Sequence, residues 1–168
     1  MDQNTVVLII SIFALLVSLG TFYIYNQERR KPRTEPTSYN ARPLQLQAYE
    51  RLVMLAERIA IHNIVSRVNQ QGLSAKEMQK LLLESIKQEF EYNATQQIYV
   101  SPVSWDAVRN LKEQNMLIIN QVASTLPENS TGLDLNKRLM DFIMNDKRGN
   151  MHNIVLEALN YEAKKLMK

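Results

Sequence analysis

Residues Thr5 to Tyr25, TVVLIISIFALLVSLGTFYIY, form a run of 21 residues without a charge. Wound as an α-helix at about 1.5 Å per residue, such a run reaches about 31 Å, close to one hydrocarbon core. A secretory signal would start with positive charge, carry a shorter apolar stretch and end on small residues. Here Asp2 precedes the run, no Lys or Arg does, and its end is bulky: Phe22, Tyr23, Ile24 and Tyr25. Aromatic residues of this kind suit the interfacial belt of a spanning helix. The expectation is a permanent transmembrane helix within residues 1–27.

Basic residues follow the run and none precede it: Arg29, Arg30, Lys31, Arg33 and Arg42. An excess of Lys and Arg marks the cytoplasmic side, so the short amino terminus should face outward and the rest of the chain the cytoplasm. The absence of cysteine agrees with that compartment. The sequons at Asn93-Ala94-Thr95 and Asn129-Ser130-Thr131 would matter only on the opposite side and read as chance matches. Residues 28–43 read as a basic linker in which Pro32, Pro36 and Pro43 prevent a continuous helix. Arg29, Arg30, Lys31 and Arg33 sit where anionic headgroups attract cations, although a topology signal alone accounts for them. Ser11, Ala14, Ser18 and Thr21 place small residues on one face of the span, the kind of stripe that lets two copies approach, although small residues are common in spans and chance accounts for them.

Residues 44–168 have the length of one ordinary domain. The sequence pI of 9.1 suggests nucleic acid until the charge is located. The first 42 residues hold five basic against three acidic residues, and the remainder holds 15 against 14. The domain is nearly neutral with signs interspersed, so no nucleic-acid partner is expected.

Helical periodicity covers this domain. Leu46, Tyr49, Leu52, Val53, Ala56, Ile59 and Ala60 share one face of a first helix from Leu44 to about Ile61. The apolar stretch to Val68 can continue it, with a break possible at His62-Asn63, before a turn at Asn69 to Gly72. Ser74 with Glu77 three residues on is a capping box that starts a second helix. That helix should run to about Gln97 with Met78, Leu81, Leu82, Ile86 and Phe90 inward, its inner face continuing as Glu89, Asn93 and Gln97. Ser101-Pro102 starts a third through Trp105, Val108, Leu111, Ile118, Ile119 and Val122. A fourth spans about Leu133 to Asp146 and stops at Lys147 to Asn150; a fifth uses Met151, Ile154, Val155, Ala158, Leu159 and Leu166. No stretch sustains strand alternation. The expected fold is all-α: a transmembrane helix, a proline-containing linker, and a cytoplasmic bundle of about five helices.

The segments QAYERLVMLAERI (Gln47 to Ile59), SAKE (Ser74 to Glu77) and QEFEYNATQQIYVS (Gln88 to Ser101), with Trp105, carry a resemblance. Over roughly Leu44 to Val122 the chain resembles a family of uncharacterised bacterial single-span membrane proteins. The resemblance implies a membrane anchor and a bacterial inner membrane, and it transfers no activity and no site residue. It also implies a proline-containing break near Ile61 to Asn63, where this chain has no proline.

Motifs for chemistry are missing. Without cysteine there is no thiol nucleophile or thiolate metal site. His62 and His152 lack H-E-x-x-H or paired-carboxylate spacing and read as surface or helix-end residues. The glycines at 20, 72, 132 and 149 are isolated, so no phosphate-cradling loop exists, and Glu89 and Glu91 diverge on a helix. No catalytic, cofactor-binding or metal-binding residue is assigned, and no cofactor is expected. The favoured function is a membrane-anchored module for protein–protein interaction or scaffolding, with the lipid bilayer, a protein partner and a second copy as partners. The alternative is an enzyme whose site is assembled from scattered polar residues. One structural cluster is expected. If the first two helices pack antiparallel with aligned ends, Glu89 meets Arg51, and Asn93 and Tyr49 close a polar clamp.

Overall fold

The computed structural model describes residues 14–26, 41–145 and 151–167. The chain divides into two compact units, residues 1–40 and 41–168, each taken by itself. In the first, residues 14–26 form a helix, α1, whose Leu15, Leu16, Val17, Leu19, Phe22, Tyr23, Ile24 and Tyr25 are all exposed. Among the described residues no helix is long and apolar enough to cross a membrane. The part of the apolar run before residue 14 lies outside the described residues, as do Ser11 and the linker positions Arg29, Arg30, Lys31 and Arg33.

The second unit is helical: α2 (Arg42–Ile59), α3 (Ile61–Val68), α4 (Ala75–Tyr92), a 3-10 turn (Ala94–Ile98), α5 (Pro102–Ser124), α6 (Gly132–Asn145) and α7 (Met151–Leu166). Among the described residues it contains no strand, and it holds six α-helices where about five were expected. The additional one arises because the first expected helix is cut at Ala60, whose ψ of 135° takes the backbone out of the helical region. The cut falls two residues before His62-Asn63 and needs no proline. It is held open by side chains that serve the last carbonyls of α2. Asn63 donates to the Glu57 carbonyl at 2.8 Å, and the buried amide of Asn115 donates to the Ile59 carbonyl at 2.8 Å. Helix ends must find such partners or leave buried acceptors unpaired.

The core is the meeting of the helical stripes. Leu52, Leu55 and Ile59 of α2, Ile64 of α3, Met78, Leu82 and Ile86 of α4, Leu111, Ile118 and Ile119 of α5, and Leu135 and Leu139 of α6 are fully buried. From α7, Val155 and Leu159 close the core, while Ile154 and Ala158 face outward, a rotation from the expected stripe. α2 lies mainly along α7, and α4 lies against α5 and α6.

The starts of α4 and α6 are joined. Ser74 caps α4 in a reciprocal box with Glu77, as its sequence predicts. Thr131 and Asp134 repeat the arrangement at α6: the Asp134 carboxylate accepts from the Thr131 amide at 2.9 Å, and the Thr131 hydroxyl accepts from the Asp134 amide at 3.3 Å. Between the two caps the Ala75 amide donates to the Ser130 carbonyl at 2.9 Å, and the Gly132 amide donates to the Leu73 carbonyl at 2.7 Å. The approach leaves little room for a side chain at Gly132. A Cβ on Gly132 would lie 3.0 Å from the Met78 Cβ and 3.2 Å from the Leu73 carbonyl oxygen.

Candidate functional site

α4 is shorter than its apolar pattern suggests. It ends at Tyr92, and the 3-10 turn that follows buries Gln96 and exposes Gln97. Its inner face therefore passes from Ile86 to Glu89 and Asn93 at the mouth of a groove of about 620 Å³ between α2 and α4. Arg51, Met54, Leu55 and Arg58 line one side, and Gln88, Glu89, Tyr92 and Asn93 the other.

Glu89 does not meet Arg51. Its carboxylate accepts two parallel bonds from Arg58, from Nε at 2.8 Å and from Nη2 at 2.6 Å, and it also faces Arg67 Nη2 at 3.2 Å. The fork geometry suits a guanidinium and a carboxylate. The carboxylate holds the Arg58 guanidinium above its ordinary pKa, against a small opposing effect of desolvation. The aligned-ends assumption fails because α3 intervenes between α2 and α4. The carboxyl-terminal turn of α4 thus faces the α2–α3 corner, where Arg58 and Arg67 both reach it. Asn93, the residue that caps the end of α4, is buried and donates to the Glu89 carbonyl at 2.9 Å. Arg51 lines the same groove, exposed, with no ion-pair partner among the described residues.

Tyr49 belongs to a different cluster. Its hydroxyl accepts from the Ser101 amide at 3.2 Å and from the Ser104 hydroxyl at 3.3 Å, tying α2 to the cap of α5. The structure therefore brings Arg51, Glu89 and Asn93 to one groove and places Tyr49 elsewhere.

A second constellation has no counterpart in the sequence pattern. The cut at Ala60 turns the end of α2 so that Glu57, His62 of α3 and His152 of α7 converge. One nitrogen of each imidazole and one Glu57 oxygen all lie within 4.8 Å of one another. His152 Nε2 is 3.4 Å from Glu57 Oε2, and the two rings meet edge to face with centroids 5.6 Å apart. Asn63 donates to Glu57 Oε2 at 3.1 Å and so fixes the carboxylate. Burial lowers the His152 pKa, and Glu57 opposes that shift. Its Nδ1 is buried and makes no hydrogen bond. Ninety residues separate the two histidines, so no spacing motif could have announced them.

Residues 3–166 match the family of unknown function DUF7935. The chain belongs to this family. No curated protein matches the chain, and no solved structure does. Membership in DUF7935 identifies an uncharacterised domain, to which the structure adds a helical bundle, and it assigns no activity or location.

Proposed function

We propose that this member of DUF7935 is a membrane-anchored helical module that binds a protein partner through the groove between α2 and α4. In this reading the uncharged run from Thr5 spans a bacterial inner membrane, its amino terminus faces outward, and the bundle lies in the cytoplasm. The exposed apolar surface of α1 favours an apolar surround. So does Thr21, whose hydroxyl donates to carbonyls of its own helix, Ser18 at 2.9 Å and Val17 at 3.0 Å.

The observation that carries the interaction reading is the pairing, at one groove, of exposed apolar side chains with surplus positive charge. Met54 is 59% and Tyr92 78% exposed, far more than such side chains need be. Glu89 already engages Arg58 and Arg67, while Arg51 keeps its charge beside them. The fitting occupant is an amphipathic segment of another protein, with an apolar face for Met54 and Tyr92 and a carboxylate for Arg51.

A photo-crosslinking residue in place of Tyr92, activated in native membranes, tests the reading. The expected result is a discrete adduct that is lost in both Arg51→Glu and Met54→Glu. An adduct of twice the chain mass identifies the partner as a second copy. No adduct, or one that survives both substitutions, overturns the groove as the binding surface.

A further inference from the structure

We propose that Glu57, His62 and His152 bind a divalent transition-metal ion of the zinc type. The inference is independent of the groove and its partner.

The argument begins with the contact between His152 Nε2 and Glu57 Oε2. At 3.4 Å it is longer than the usual range for an N–H···O hydrogen bond. It does match the separation of two ligands on a tetrahedral ion, about 3.3 Å for metal–ligand distances of 2.0–2.1 Å. The tautomers of His152 sharpen the point. With the proton on Nε2 the ring makes only this long contact to Glu57, and with it on Nδ1 the Nε2 lone pair faces a carboxylate oxygen, an arrangement that a cation between the two makes favourable. Nδ1 is buried against the protein, so Nε2 is the ring atom that faces a ligand.

The donor set gives the class of ion. Two imidazoles and one carboxylate suit zinc and its neighbours and are poor for magnesium or calcium, which prefer oxygen throughout. Glu57 is held for the task by Asn63, the orienting role that a second layer of hydrogen bonds serves in metal sites. His62 is exposed, so its ring is free to turn toward the other two from within 4.8 Å. Three protein ligands leave a fourth position for solvent or another ligand. Because the ligands come from α2, α3 and α7, the ion would fasten α7 to the α2–α3 corner.

The test uses the full-length, tag-free protein in mild detergent, stripped with a chelator and titrated with Zn²⁺ alone against a chromophoric competitor. One ion per chain should bind. At a hundredfold excess over Kd the unfolding temperature should rise by roughly 5–10 °C. His62→Ala and Glu57→Gln should each weaken binding at least about tenfold while keeping the helical circular dichroism of the parent. His62 is exposed, so its variant keeps the test valid even if His152→Ala fails to fold. Binding unchanged in His62→Ala and Glu57→Gln, no rise in unfolding temperature, or an equal response to Mg²⁺ would overturn the site.

Discussion

The side-chain amide of Asn115, in the middle of α5, donates a 2.8 Å hydrogen bond to the carbonyl of Ile59, the last residue of α2. Both residues are buried, and the bond serves an acceptor that the break at Ala60 leaves without its helical donor. Asn115→Ala removes the donor and leaves a buried carbonyl unpaired, at a cost of about 1–3 kcal/mol. Urea unfolding should show this as a lower midpoint at unchanged slope. A loss no larger than that of an exposed alanine substitution would mean the break is held by packing alone.

Glu89 joins three helices, but its partners are wet. Its side chain is 17% exposed, against 49% for Arg58 and 34% for Arg67. The expected cost of Glu89→Ala therefore stands near the surface end of the scale, about 1 kcal/mol. Adding Arg58→Ala should cost less than the two single effects together, and Arg51→Ala should add independently of Glu89→Ala. Coupling to Arg51 in place of Arg58 would contradict the observed register.

Acid should weaken the joint between α4 and α6. Hydrogen bonds from the side chain and then the backbone of Ser74 hold Glu77 below its ordinary pKa near 4.5. Those from Thr131 do the same for Asp134, ordinarily near 3.8. A carboxylate with a lowered folded-state pKa contributes stability that is present above its unfolded value and lost as pH falls through the folded one. The wild type should therefore lose more stability between pH 6 and pH 3 than a Glu77→Gln, Asp134→Asn double variant. Parallel pH profiles for the two would assign the acid sensitivity elsewhere.

Gly132→Ala should destabilise by about 1–3 kcal/mol despite the better helix propensity of alanine, because the added methyl meets the Met78 Cβ and the Leu73 carbonyl oxygen as well as the mobile Met78 Cε. Met78→Ala in the same chain keeps the Met78 Cβ and the Leu73 carbonyl in place and truncates a fully buried side chain, so it should not rescue the variant. A stability equal to wild type would show that the caps can move apart freely.

The proposed topology predicts that a phosphatase reporter, active only outside the cytoplasm, stays silent when fused after Lys168. High activity there would reverse the orientation. Activity from a soluble fraction would remove the anchor as well.

What could be read from the residues was local. Ser74 with Glu77, and Ser101 before Pro102, mark real helix starts because capping is decided within one turn. The stripes of α4 and α5 come inside because their period is helical throughout. The break at Ala60 was not legible at its position, since neither glycine nor proline stands there and its support, Asn115, arrives 55 residues later. The same event hid both constellations. It moved Glu89 from Arg51 to Arg58, and it brought His62 and Glu57 to His152 across α7. Pairings of this kind are properties of the assembled bundle, and one chain read in order does not contain their distances.

The joined caps have a consequence for the clock of solvent exchange. Amides in the first turn of a helix ordinarily trade their protons quickly, since they lack a partner within the helix. Here the first amides of α4 and α6, on Ala75 and Gly132, are each bonded to the strand of chain that precedes the other helix. Each bond is lost when the two helix starts part. Deuterium should therefore enter these two positions together, at the rate at which α4 and α6 part, making them a paired reporter of the opening of the bundle.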